Sequence, residues 1–263
     1  MYTFDSRIRY SEVGPDMFLT TESLIDYFQD CSTFQSEDLG IGLDYLTAND
    51  MAWIVVFWQI EIRRRPALAE HVRIGTSPYE LKGFMGLRNF MMETADGERL
   101  ADAASVWTLM DMKTMRPLRV PQIMTEKYSL NPPFPMEYEP RKIPIPKDAQ
   151  SVSFPPFTVQ EHHLDSNYHV NNGQYVRFAV TELPLGSRVD RLLIEYRRQA
   201  HLGDVITPVR YDVAAESARE GEQCSVVALN AADGNAYAVA KIFYHLAAGG
   251  PAPAYSVKEE GQV

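Results

Sequence analysis

Half of the six histidines fall in one short stretch, His162-His163-Leu164-Asp165-Ser166-Asn167-Tyr168-His169-Val170-Asn171-Asn172. An acid, an amide and an imidazole at the alternate positions 165, 167 and 169 share one face if the segment is extended. Asn171 or Asn172 then caps a helix, whose first N–H groups lack intrahelical partners and whose dipole is positive at that end. The set suits attack on a polarised carbonyl. A carboxylate activates water or attacks directly, an Asn and a His orient the groups, and N–H donors hold the developing oxyanion. Asp and Asn also build turns and caps, so a purely structural role competes with the catalytic one. His162, His163, Asp165 and His169 are zinc-ligating types. However, His162 and His163 point oppositely on a strand, and no second ligand cluster accompanies them.

The helix that follows, Gly173–Leu183, is closed by Pro184 and is apolar on more than one face, which predicts burial. Strand candidates come after it at Arg191–Arg197, Val205–Ala214, Gln223–Ala231 and Ala236–His245. The first half runs through the same order. A helix capped by Thr20 or Thr21 carries Leu24, Ile25, Tyr27, Phe28 and Cys31, and strands are predicted at Trp53–Ile62, Val72–Tyr79, Met85–Glu93 and Ala101–Asp111. Short segments repeat in register. Ile60-Glu61-Ile62-Arg63-Arg64 echoes Ile194-Glu195-Tyr196-Arg197-Arg198, and the hairpin signal Asp96-Gly97 echoes Asp233-Gly234. Matches in the same order indicate an internal duplication.

Between the halves lies a stretch with Pro132, Pro133, Pro135, Pro140, Pro144 and Pro146. Proline lacks a backbone donor and fixes φ, so this segment reads as an extended surface connection. The expected organisation is a unit over 1–130, a linker over 131–150, a second unit over 151–248 and a mobile tail over 249–263. The fold class is α+β, two antiparallel sheets each wrapped around a central helix.

Composition sets the outer limits. The chain has 263 residues, 45% apolar and 23% charged, with a net charge of −10, which is the profile of a globular protein. The acidic balance disfavours nucleic acid as a partner, because phosphate affinity needs clustered Lys and Arg. The longest apolar run, Met51–Trp58, is far too short for a membrane span. No secretory pattern opens the sequence, so a cytoplasmic location is expected. Two cysteines, Cys31 and Cys224, provide neither a disulfide framework nor a zinc site, and no metal or cofactor is expected.

Leu164-Asp165-Ser166-Asn167-Tyr168-His169-Val170-Asn171-Asn172-Gly173-Gln174-Tyr175 resembles the acyl-ACP thioesterase signature D-x-N-x-H-V-N-N-x-x-Y. Glu195-Tyr196-Arg197-Arg198 resembles the E-Y-R-R element that follows it, and Met51–Val55 and Ala104–Trp107 are similar to family segments in the first half. The resemblance implies two tandem hot-dog units and hydrolysis of the thioester joining a fatty acyl chain to acyl carrier protein. It implies a catalytic group of Asp165, Asn167, His169 and Glu195, with backbone donors at Asn172 and Gly173. The family cysteine position is Ala200 here, which favours water activation or carboxylate attack. Aligning the helices sets Gly14, Asp16 and Phe18 opposite Asp165, Asn167 and His169, so the first unit has lost its own site and is expected to supply the acyl pocket. Trp53, Val55 and Phe57 are expected to line it. The implied partner is acyl carrier protein, and a homodimer is expected. Two alternatives stay open: an acyl-CoA thioesterase on the same fold, and a non-catalytic acyl-binding protein.

Overall fold

In the computed structural model, residues 1–215 and 217–246 are described; the tail expected over 249–263 lies outside them. The first repeat runs β1 (Tyr2–Arg7), α1 (Thr21–Asp38), α2 (Leu43–Ala48), β2 (Met51–Ile62), β3 (His71–Lys82), β4 (Met85–Thr94), β5 (Arg99–Asp111), β6 (Arg116–Pro117) and α3 (Gln122–Lys127). The second runs β7 (Ser151–Ser153), β8 (Phe157–Thr158), α4 (Asn172–Thr181), β9 (Ser187–Tyr196), β10 (Val205–Val213), β11 (Gln223–Asn230) and β12 (Ala236–Leu246). The predicted strands are all present. The short edge strands and α2 carry too little periodicity to be legible in the sequence.

The two repeats share one antiparallel sheet, in the order β1-β3-β4-β5-β2-β9-β12-β11-β10-β7. Each side of the β2–β9 seam has the same internal order, as a duplication requires. Glu61 and Glu195 are equivalent by sequence, and by the same offset Gln59 corresponds to Leu193. Gln59 pairs with Leu193 across the seam, so a pseudo-two-fold axis passes through that pair. Small details repeat too. Gly97 donates to Thr94 O as Gly234 does to Ala231 O, with φ of 87° and 82°. The amides of Arg63 and Arg64 both reach Leu100 O, as those of Arg197 and Arg198 reach Tyr237 O.

The sheet has an inner face, packed on both helices, and an outer face under the linker. Alternation along β9 shows the division. Leu192 and Ile194 join the inner core with Tyr175, Val176 and Ala179 of α4, whereas Leu193 joins Phe57, Val239 and Ile143 on the outer face. The proline-rich linker is a cover for that outer face. Buried side-chain amides hold it down: Gln59 donates to Glu137 O at 2.6 Å and accepts from Glu139 N at 2.9 Å. Asn89 Oδ1 accepts from Phe134 N at 3.0 Å.

The helices begin as the sequence predicts. The Thr20 side chain accepts from Ser23 N–H, and Asn171 accepts from Gly173 N–H. They cross at their N-terminal ends, where a Cβ on Gly173 would lie 2.7 Å from Asp26 Oδ1. A side chain at 173 would press on the Asp26 carboxylate of α1, which would have to swing aside. Asp26 is exposed at its surface, yet crowding by the surrounding protein, together with the carboxylates of Asp30, Glu22 and Glu12, raises its pKa to about 6.

Two outcomes follow for stability. Gly173→Ala is expected to cost roughly 1–3 kcal/mol by overpacking, and adding Asp26→Ala is expected to recover most of it; simple additivity in thermal melts would contradict the contact. Above its ordinary carboxylate range, Asp26 holds a proton in the folded chain that the unfolded chain has released. Stability should fall as pH rises from the ordinary carboxylate value of 3.8 to about 6, and Asp26→Asn should flatten that slope.

Candidate active site

The segment bearing Asp165, Asn167 and His169 is a closed turn, not the extended strand expected from alternate spacing. Leu164 and Val170 form a bridge, Asp165 N–H donates to His169 O at 2.8 Å, and Tyr168 N–H donates to Asp165 O at 3.1 Å. Tyr168 has a φ of 61°, which places the reversal there. The Asp165 carboxylate organises the turn: its Oδ1 accepts from Asn167 N–H at 2.8 Å and from His169 N–H at 3.2 Å. The structural and catalytic readings therefore fall on different oxygens of one carboxylate. The first repeat has the same loop, bridged between Val13 and Leu19, with Met17 at φ 64° opposite Tyr168. There Gly14 and Phe18 replace the acid and the imidazole.

Asn167 reaches the other repeat. Among the described residues, it alone of the second repeat lines a partly open cavity of about 190 Å³ whose walls come from α1, α2, β2, β3, β4 and β5. His169 is half-buried, its ring 4.8 Å from that of His201 in a T-shaped arrangement. Burial and then His201 lower its pKa, against the pull of Asp165, so it is a neutral imidazole at neutral pH. Tyr175 and Tyr196 supply the rigid frame. Ala200 N–H donates to Tyr175 Oη at 2.8 Å, Val170 N–H donates to Ala200 O, and Tyr196 Oη donates to Asn172 O at 3.1 Å. Asn172 Nδ2 donates to Gln29 Oε1 of α1 at 2.7 Å, a tether between the repeats. Tyr175, Asn172 and Tyr196 fall within the motif segments of the sequence, whereas Gln29 and His201 carried no signal there.

Four expected site residues are placed elsewhere or occupied. Glu195 sits on the outer face of β9, where Oε2 accepts from Ile143 N–H at 3.0 Å and pairs with Arg197 at 2.7 Å. Its neighbour Tyr196 takes the inner position, because successive side chains on a strand point to opposite faces. Gly173 N–H is occupied by Asn171 Oδ1 at 2.7 Å and is no oxyanion donor; the Asn172 N–H has no partner among the described residues. Trp53 lines the cavity, but Val55 and Phe57 do not. A β-bulge between Val55 and Phe57 shifts the alternation. It leaves Val55 in the inner core and turns Phe57 to the outer face.

Other candidates are resolved by their surroundings. Burial pushes the Cys31 thiol up to about 12 and the Cys224 thiol up to about 11, so neither supplies a thiolate. Among the described residues, no group of three or more His, Cys, Asp or Glu side chains is arranged to hold a metal ion. Arg63, Arg64, Arg65, Arg197 and Arg198 are all ion-paired within the chain.

A family model for the acyl-ACP thioesterase N-terminal domain matches residues 1–128, and one for the C-terminal domain matches residues 146–246. The chain belongs to the acyl-ACP thioesterase family. Among curated members of that family, the chloroplastic acyl-[acyl-carrier-protein] hydrolase FATB1 of Cuphea viscosissima is 26% identical over 77% of this chain and 52% of its own length. The chloroplastic oleoyl-acyl carrier protein thioesterase 2 of Arabidopsis thaliana is 25% identical over 76% of this chain and 59% of its own. The chain thus spans about half the length of the curated relatives it matches. An acyl-ACP thioesterase from Bacteroides thetaiotaomicron superposes with a TM-score of 0.79 at 21% identity, covering 92% of this chain and 97% of that one. The 12:0-ACP thioesterase from Umbellularia californica gives 0.78 at 20% identity, over 93% and 94%. These structures show that the acyl-ACP thioesterase architecture, two hot-dog units in one chain, is the fold here.

Glu195 provides the sharpest test of this placement. Glu195→Gln is expected to lower the melting temperature through the lost pairing with Arg197 and Ile143, and to change kcat for the reaction proposed below less than roughly threefold. A hundredfold loss of kcat at unchanged melting temperature would return Glu195 to the site.

Proposed function

We propose that the chain hydrolyses the thioester of fatty acyl-acyl carrier protein, releasing free fatty acid and ending chain elongation. One observation carries the reading beyond family membership: Asn167, on the acid–amide–imidazole loop of one repeat, forms part of the wall of a cavity in the other. That arrangement suits a substrate whose tail lies in the first repeat and whose carbonyl lies at the loop of the second.

In this reading the Asn167 side chain and the Asn172 N–H, at the positive end of α4, hold the thioester oxygen as it gains charge. Asp165 Oδ2, which has no protein partner among the described residues, accepts a proton from the attacking water, and His169 orients that water as a neutral imidazole. The C–S bond breaks, the acyl group keeps the water oxygen as a carboxylic acid, and Asp165 returns the proton to the sulfur, so that the carrier arm leaves as a thiol and the carboxylate is restored. The step is written with water as the only co-substrate. Acyl carrier protein as partner, a cytoplasmic location and a homodimer belong to the same proposal. The latter two rest on sequence alone and are checked by cell fractionation and light scattering.

Asp165→Asn separates chemistry from architecture, because the amide oxygen can still accept from Asn167 and His169. It is expected to lower kcat by roughly 10²–10⁴-fold with little change in melting temperature. Asn167→Ala is expected to lower kcat by roughly 10²-fold or more, as for loss of one oxyanion donor. Fatty-acid release from matched acyl-ACP and acyl-CoA substrates should favour the carrier protein. Preference for CoA would move the enzyme out of chain termination, and near-native turnover by Asp165→Asn would reduce Asp165 to a turn former.

A further inference from the structure

The cavity is not the plain hydrocarbon slot that an unsubstituted alkyl chain would need. Trp53, Leu81 and Leu87 contribute apolar wall, but Ser32, Ser36, Arg88 and Tyr128 contribute a polar one. The polar side is internally ordered. Ser36 Oγ shares a hydrogen bond of 2.7 Å with Tyr128 Oη, and also donates to Ser32 O at 2.8 Å.

Arg88 is the exception to that order. It lies on the inner face of β4 and is only 7% exposed. Its one hydrogen bond among the described residues runs from Nη1 to Thr76 Oγ1 at 3.2 Å. The guanidinium lies 5.1 Å from the centroid of the Tyr128 ring, and no carboxylate pairs with it among the described residues. Guanidinium has five donors and stays charged at any physiological pH. Its other donors are not sealed in the core but sit at the cavity wall, where a charge this nearly buried is ordinarily paired and hydrogen-bonded. A chain of methylenes laid against it would carry a cost by removing what solvent contact the cavity still provides. An acceptor oxygen on the ligand would reverse it.

We propose that Arg88 determines specificity, and that the acyl chain taken by this cavity carries an oxygen acceptor, a hydroxyl or oxo group, that receives the free N–H donors of Arg88. This rests on the thioester-hydrolase reading above. The requirement is asymmetric: a site built to hydrogen-bond a substrate oxygen rejects the analogue lacking it, because its own buried donors are then left unpaired.

The test uses the full chain and acyl-ACP substrates of one length, unsubstituted or bearing a hydroxyl or oxo group stepped along the chain. The wild type should turn over at least one oxygenated thioester with kcat/KM roughly tenfold or more above its unsubstituted partner. Arg88→Met should abolish or invert that ratio, and Arg88→Lys, which keeps the charge without the planar fork, should retain part of it. Preference for the unsubstituted chain at every position, or an unchanged ratio in Arg88→Met, would overturn the proposal. A second arm reads binding without turnover, as the rise in melting temperature produced by free oxygenated and plain fatty acids. If no thioester is cleaved, the hydrolase reading fails. The binding arm then decides alone: a larger rise with the oxygenated acid, lost in Arg88→Met or reduced in Arg88→Lys, upholds the role of Arg88, and equal rises overturn it.

Discussion

The structure depends on the pairing of β2 with β9. Without that seam each repeat would end in an open strand with unpaired N–H and C=O groups. With it, the two sheets become one, and the helices are forced to cross on the same inner face. The contact sets Gly173 against the Asp26 side chain, and it carries the Asn172–Gln29 tether. Because α4 starts at this crossing, the loop preceding it is delivered to the first repeat, and Asn167 meets a cavity that its own repeat does not form. One binding chamber and one set of polar groups are thus assembled from two copies of the same unit.

The duplication also shows that the same backbone carries two different sets of side chains. Both repeats have the bridged turn, the left-handed residue at its apex and a capped helix after it. The side chains differ throughout the loop, and the acid, amide and imidazole of Asp165, Asn167 and His169 stand against Gly14, Asp16 and Phe18. In the first repeat Asp16 is turned to Arg65 in an ion pair. The scaffold was available twice, and chemistry needs it once.

The fold was legible because its signals are local and repeated: period-two strands, Asp-Gly turns, capped helices, and matching segments in matching order. The grouping of Asp165, Asn167 and His169 on one loop was legible because those residues are contiguous, and continuity along the chain guarantees proximity. It failed where the inference crossed a strand. Glu195 and Tyr196 are neighbours in sequence and lie on opposite faces of the sheet, and no pattern within the E-Y-R-R segment says which of them looks inward. Trp53, Val55 and Phe57 would share a face in a regular strand, but one inserted residue at the bulge separates them. Arg88 gave no warning at all. A single arginine among apolar strand residues looks like a solvated position until the helix layer is placed over it.

The central claim is that substrate spans the two repeats, with its chain in the first and its carbonyl at the loop of the second. The most direct measurement is a crystal structure with a non-hydrolysable thioether analogue of an acyl-phosphopantetheine. The account predicts an acyl chain between α1 and the inner face of β2 and β4, against Trp53 and Arg88, with its carbonyl oxygen within hydrogen-bond distance of Asn167. A chain seated beneath α4 in the second repeat, or a carbonyl beside Glu195 on the outer face, would contradict it.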